Sequence, residues 1–390
     1  MTFQRVKLGE VATIDRRTVS PGEIQGQEQY VGLDNITSGG DFQRISTSGE
    51  SGLKSNKFAF TGGHILYGKL RPYLAKIAAP DFEGICSTDI LPIRPGPNLD
   101  RRYLLHYLRT PEMIASASSK TVGINLPRLS PKVLEVFQIP LPRVEEQRRI
   151  AGVLDAAEAL RAKRHQALER LDSLTQAIFI EMFGDPVSNP WGWRDDRVLA
   201  DVSEVRSGIT KGRKTGSDTL TAVPYLAVAN VQDGFIQLEP LKSIEATGAE
   251  ISKYSLQIGD IVLTEGGDPD KLGRGAVWNG QVDPCIHQNH VFRVRLIDDS
   301  MTPEFLSRLL GSHRGKRYFL RMAKQTTGIA SINMTQLRAF PLLEPPRAAQ
   351  DEFLSRLLRI QEVEATIQHS RKQLDVLFAS LQQRAFRGEL

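Results

Sequence analysis

A chain that carries one long segment twice is constrained more by that duplication than by any single residue. Here LDSLTQAIFIEMF begins at Leu171, and a relative, LDVLFASLQQRAF, begins at Leu374. The likeness extends upstream of both. KLGEV (7–11) matches VLADV (198–202), and YVGLDNI (30–36) matches YLAVANV (225–231). GGHILYGKLRP (62–72) matches IGDIVLTEGGD (258–268), and ICSTDILPIRP (85–95) matches CIHQNHVFRVR (285–295), with Cys86 and Cys285 near the same repeat position and read as small core residues. TVGINLPRL (121–129), FQIPLP (137–142) and EEQRRI (145–150) then meet TGIASINMTQL (327–337), FPLLEPP (340–346) and AAQDEF (348–353) in the same order. Each match is weak alone. The ordered set marks duplication of a unit far larger than a solenoid repeat.

Each unit has two parts. The first consists of short β-like runs such as HILYG, DILPIR, DIVLT and HVFRVRL, broken by Gly, Pro, Asn and Asp, with helical stretches such as YLLHYLR. It reads as an α+β globular domain. The second is a long helix. From Glu145 to Phe183 there is no Pro and one Gly, Gly152. Apolar residues recur at Ile150, Leu154, Ala157, Leu160, Leu168, Leu171, Leu174 and Ile178. The later copy offers Phe353, Leu357, Ile360, Ile367, Leu374, Leu377 (or Phe378) and Leu381. Steps of three and four residues predict amphipathic helices that lean toward a coiled coil, although Arg164 and Arg371 interrupt the heptad. Gly184-Asp185-Pro186 and Gly388 end the helices. Neither stripe can be hidden within one domain, so each is expected to cover the other, antiparallel, because the intervening domain must return the chain. The expected architecture is α+β: two globular domains (1–143 and 186–346), two long antiparallel helices (144–185 and 347–390) forming a coiled-coil spacer, and a pseudo-twofold internal repeat.

The search for chemistry is largely negative. There is no P-loop and no GxGxxG. HQNH (287–290) lacks companions for a metal site, and EGGDPDK (265–271) reads as a Gly-rich binding loop rather than a nuclease core. No apolar run reaches bilayer length, and MTFQRVKLGEV does not read as a secretory signal, so a cytoplasmic location is expected. Lys plus Arg number 50 against 45 Asp plus Glu, a mildly basic balance that fits a polyanion.

Binding fares better. The loops after matching strands carry groups that grip phosphates and base edges. In the first half these are Arg16, Arg17, Lys69, Arg71, Tyr73, Lys76, Thr88 and Asp89, with Lys120 and Asn125 around the Gly-rich TVGIN. In the second they are Arg206, Lys211, Arg213, Glu265, Asp268, Lys271, Arg274, His287, Gln288 and Asn289, with Lys324 and Asn333 around TTGIASIN.

The combination of PLPRVEEQRRIAGVLD, LDSLTQAIFIEMFGDP, GHILYGKLRPYLAK with GICSTD, and GDIVLT with QNHVFRVR resembles the specificity subunit of type I restriction–modification systems over essentially the whole chain. The resemblance implies that the globular domains are target recognition domains, each reading one half of a split target in double-stranded DNA. It implies that the helices dock two modification (methyltransferase) subunits and that two restriction (ATP-dependent translocase/nuclease) subunits can join them. S-adenosylmethionine, ATP and Mg²⁺ would then sit on those partners, with no cofactor, metal or catalytic residue in this chain and no membrane association. Readers on a rod suit half-sites about one helical turn apart. Because KLRP faces EGGD and STD faces HQN, the halves should differ and the target should be asymmetric. On residues alone two other readings stay open: a nuclease or adenine methyltransferase with fused readers, and a coiled-coil assembly protein.

Overall fold

The computed structural model describes residues 3–213, 219–268, 271–326 and 329–390. The fold is α+β. Two long helices, Val144–Phe183 and Arg347–Arg387, accompany two sets of short strands. The chain divides into two compact units, Met1–Ala167 with Ile367–Leu390, and Leu168–Thr366. Each unit therefore takes a globular domain together with the parts of both helices that share its core.

In the first unit a four-stranded antiparallel sheet runs Ala12–Ile14, Ile90–Pro95, Ile65–Gly68, Ile77–Ala78. In the second, Ser203–Ser207, Val291–Leu296, Ile261–Thr264, Gly275–Val277 has the same order. Runs such as ILYG and IVLT are buried throughout, as strands covered on both faces require. A second sheet in each unit repeats a parallel pair: Gln29–Val31 beside Gly84–Cys86, and Thr221–Leu226 beside Ile286–His287.

Register corrects one alignment. Val31 lies opposite Cys86 and Leu226 opposite His287, so the counterpart of Cys86 is His287, not Cys285. The block match of 85–95 with 285–295 is therefore out of step by one residue, and the pairing of the two cysteines by two.

The helix segments run antiparallel within each unit. In the first, Arg149 Nη2 donates to Leu390 O (2.9 Å), while Arg161 Nε donates to Asp375 (2.7 Å) and its guanidinium lies over the Phe378 ring. One segment therefore advances as the other retreats. In the second, Phe183 and Phe179 both meet Phe353, and the stretch back to Thr175 lines the same cleft as Leu357 to Glu364. Ile150, Leu154, Ala157, Phe353 and Leu357 are buried. Leu168, Leu171, Ile178, Ile360, Ile367, Leu374 and Leu381 are half-buried. Leu160, Leu174 and Leu377 are exposed, a correction to the expected stripe. Steps of three and four leave neighbouring stripes to choose between. Packing chose those holding Thr175, Phe179 and Phe183, and Phe378, Gln382 and Phe386.

Both helices are anchored by the same device. Gln147, fully buried, accepts from Asp100 N–H (2.8 Å) and donates to Asn98 O (3.0 Å) and Pro142 O (2.8 Å). Gln350, fully buried, accepts from Thr302 N–H (2.8 Å) and donates to Ser300 O (3.0 Å) and Pro345 O (2.9 Å). Asp100 and Thr302 each cap a shorter helix, Arg101–Leu108 and Pro303–Gly311. Each glutamine thus ties the start of a long helix to the start of a short one.

A candidate nucleic-acid interface built twice

In the first unit the strand Ile65–Gly68 delivers Lys69 to a point where three loops meet. Lys69 N–H donates to Asp89 O (2.9 Å), and Leu129 N–H donates to Lys69 O (2.9 Å). Ser87 N–H donates to Val31 O and Ile90 N–H to Ser87 O, each at 2.9 Å. On this frame the Asp89 carboxylate accepts from Arg128 Nε (3.0 Å) and lies 4.0 Å from Lys69 Nζ. That hydrogen bond raises the pKa of the Arg128 guanidinium above its usual value. Arg71 and Tyr73 are exposed beside it, with Arg71 in the left-handed region and its N–H on Pro127 O (2.8 Å). Thr88 is half-buried in the central loop, and Asn125 is exposed on the third.

The second unit repeats the frame bond for bond. Glu265 N–H donates to His290 O (3.0 Å) and Ile332 N–H to Glu265 O (2.9 Å). Gln288 N–H donates to Leu226 O and Val291 N–H to Gln288 O, each at 2.9 Å. The side chains reverse: Glu265 stands where Lys69 stands, and His290 where Asp89 stands, with Glu265 Oε2 and His290 Nδ1 2.6 Å apart. Asn289 Nδ2 lies 3.3 Å from His290 Nε2. An acceptor carboxylate beside imidazole and amide replaces a carboxylate held by two cations.

Other expected contacts are committed to the fold. Lys76 Nζ donates to Leu33 O (2.7 Å). Lys120 and Lys211 sit over the rings of Phe137 and Tyr225, at 4.8 and 5.0 Å. Arg213 forks onto Glu250 and, chiefly by that bond, brings its pKa down to about 2. Arg206 pairs with Glu204, and exposed Asp268 with Lys271. Half-buried Arg274 donates to Gln232 (3.1 Å). Asn333 caps Met334–Arg338 through Gln336 N–H (2.9 Å). Arg16 and Arg17 are exposed, leading into the strand Thr18–Val19 of the other sheet; Lys324 is exposed at a strand start. Lys214, Pro269, Asp270, Thr327 and Gly328, within the expected binding loops, lie outside the described residues.

His287 is a correction. It is fully buried, its Nδ1–H donating to Val291 O (2.7 Å) and its ring against Tyr254, and burial pulls its pKa down to about 4. It holds the loop from behind and cannot reach a ligand. Burial likewise pushes the Cys285 thiol up to about 12. Sequence reasoning missed Arg128 and His290. The second His of HQNH comes into line with Asp89 only once the one-residue slip is removed. Among the described residues no group of His, Cys, Asp and Glu is arranged to hold a metal ion, and no helix is long and apolar enough to cross a membrane.

Residues 1–170 match the family model described as type I restriction modification DNA specificity domain. Over 314 residues, 76% of this chain and 67% of the relative, the chain is 23% identical to the type I restriction enzyme StySPI specificity subunit of Salmonella potsdam. Among solved structures, one from work on complex assembly and conformational transition of the type I R-M system superposes with a TM-score of 0.60 at 20% identity. It covers 100% of this chain and 98% of that one. The Type-I restriction-modification system S subunit from M. genitalium superposes with a TM-score of 0.57 at 11% identity, covering 99% and 96%. At these identities the two structures speak for the fold.

Proposed function

The chain belongs to the family of type I restriction–modification DNA specificity subunits, and from that premise we propose that its two frames read the two unlike halves of a split, asymmetric target in double-stranded DNA. The observation that carries the proposal is the exchange of side-chain character, Lys69 for Glu265 and Asp89 for His290, on a backbone repeated in both units. Four main-chain hydrogen bonds recur in both units, so the fold accepts either set of side chains there. What differs between the frames is what they present to a base edge. Arg128, whose Nε and Nη2 are turned to Asp89, offers its remaining N–H donors to a guanine edge, and Glu265, whose Oε2 lies on His290, offers its other oxygen to the amino group of cytosine. The long helices serve as the docking surface for two modification subunits, to which restriction subunits attach. S-adenosylmethionine, ATP and Mg²⁺ act on those partners, while this chain contributes recognition without catalysis, in the cytoplasm. A fused nuclease or methyltransferase is not favoured by the family assignment.

The test is to co-express the chain with a modification subunit of its own system and map methylated adenines by single-molecule sequencing. A split, asymmetric motif that disappears without this chain is expected. Arg128→Gln should alter one half of the motif and His290→Gln the other. Methylation that persists without the chain, or a contiguous motif, would overturn the proposal.

A further inference from the structure

The loop after Lys120 in the first unit turns its apolar residues outward. Val122 and Arg128 exchange two backbone hydrogen bonds of 3.0 Å, and Leu70 bridges to Arg128. Gly123, at φ +103°, starts the turn between them. Along it Val122 is 77% exposed, Ile124 99% and Leu126 46%. Tyr73, 55% exposed, stands on the adjoining turn, which is tied to the loop by Arg71 N–H on Pro127 O. Val122 and Ile124 take no part in the core of the unit, while Leu126 and Tyr73 are about half covered at the base of the tip. The backbone beneath is pinned by Lys69, Arg71 and Arg128, so the tip is held out in a defined position and insertion would cost little ordering.

The surroundings select the occupant. Arg71, Arg128 and Lys69 stand at the base of the apolar tip, and Asp89 offsets one of their three charges, leaving the surroundings net positive. Duplex DNA offers both complements: phosphates on the flanks, and apolar base faces that become accessible when a step is opened. We propose that residues 121–128 form an apolar wedge that enters the duplex at the first half-site, unstacks one base step and bends the DNA there. The proposal rests on the reading of the first unit as a DNA reader. It adds a second source of selectivity, since a step that opens easily would be preferred even where no side chain reads its edges.

The test uses the full chain assembled with its modification subunit and a duplex bearing the mapped target. 2-Aminopurine is placed at each position of the first half-site in turn, and the ends carry a fluorescence energy-transfer pair to report bending. The wild-type complex should brighten the probe at a step other than the methylated adenine. Ile124→Ser should abolish that signal, straighten the DNA and weaken binding roughly ten-fold. Its salt slope should be unchanged, because no phosphate contact is lost. Ile124→Leu should retain the signal. Identical probe and bending signals in wild type and Ile124→Ser would overturn the wedge, and gel filtration of the Ile124→Ser complex, with the signal retained in Ile124→Leu, separates loss of the wedge from loss of assembly. A wild-type complex without sequence-specific binding would overturn the reader assignment and the wedge with it.

Discussion

Replacing Gln147 by Met tests whether the buried glutamine anchors the first long helix. Methionine keeps the volume and removes three hydrogen bonds, those to Asp100 N–H, Asn98 O and Pro142 O. The two carbonyls lose a donor, and the Asp100 N–H is stranded where water does not readily reach, since Gln147 is fully buried. At about 1 kcal/mol for each bond, and about 1–3 kcal/mol for an orphaned donor, the loss should be about 3–5 kcal/mol. For a unit of about 190 residues each kcal/mol moves the melting temperature by about 2–4 °C, so the drop should be near 10 °C. Gln147→Glu should do worse, because it keeps the acceptor for Asp100 but turns an anion toward two carbonyl oxygens. Calorimetry of the full chain is the assay. Gln147→Met should lower the transition of the first unit, and Gln350→Met that of the second. A Gln147→Met chain within about 0.5 kcal/mol of wild type, or a Glu variant more stable than the Met variant, would refute the reasoning.

Burial holds His287 at about 4 against an ordinary 6.5, so the native state refuses a proton that the unfolded chain accepts. The stability of the second unit should therefore fall by up to roughly 3 kcal/mol as pH drops from about 6.5 to about 4. His287→Cys, which installs the residue found at the equivalent position 86, should flatten that part of the urea-midpoint profile; an unchanged profile would discount the histidine. Gly40 has φ +83°, and a Cβ there would collide with the Arg109 guanidinium and with Ile77 O, which that guanidinium caps. Gly40→Ala should cost about 2 kcal/mol or more in urea titration, while Gly52→Ala, at positive φ but in open space, should cost only about 1 kcal/mol.

The α+β class and the duplication were legible because they rest on patterns many residues long. KLGEV against VLADV and HILYG against DIVLT keep their order whatever the loops do. Single positions were less legible, for identifiable reasons. Placing Cys86 and Cys285 near the same position is attractive by residue type, and only the backbone pairing of Val31 and Leu226 exposes the slip that put His287 among the readers and left His290 out. Leu174 and Leu377 fit the helical period, but period alone does not choose between adjacent stripes when Thr175 and Phe378, the very next residues, fit it as well. Lys76, Lys120 and Lys211 have the residue type of a DNA contact and are spent on a carbonyl and two rings instead. Gln147 and Gln350 left a usable signal, one glutamine at the same place in EEQRRI and AAQDEF, which reads as surface until its burial is seen.

The first unit is discontinuous, and that has a consequence for how the protein is made. Its core includes Ala385 and Phe386, and the Phe386 ring packs on Tyr103 and Tyr107 at 5.3 and 5.0 Å. The second unit, Leu168–Thr366, is continuous and lies wholly between. At roughly 5–20 residues per second of synthesis, the first globular domain waits on the order of ten seconds or more for its last core residues. During that interval Tyr103 and Tyr107 lack their aromatic partner, and the second unit has its last residue, Thr366, before Phe386 is made. The half encoded first is the half that closes last.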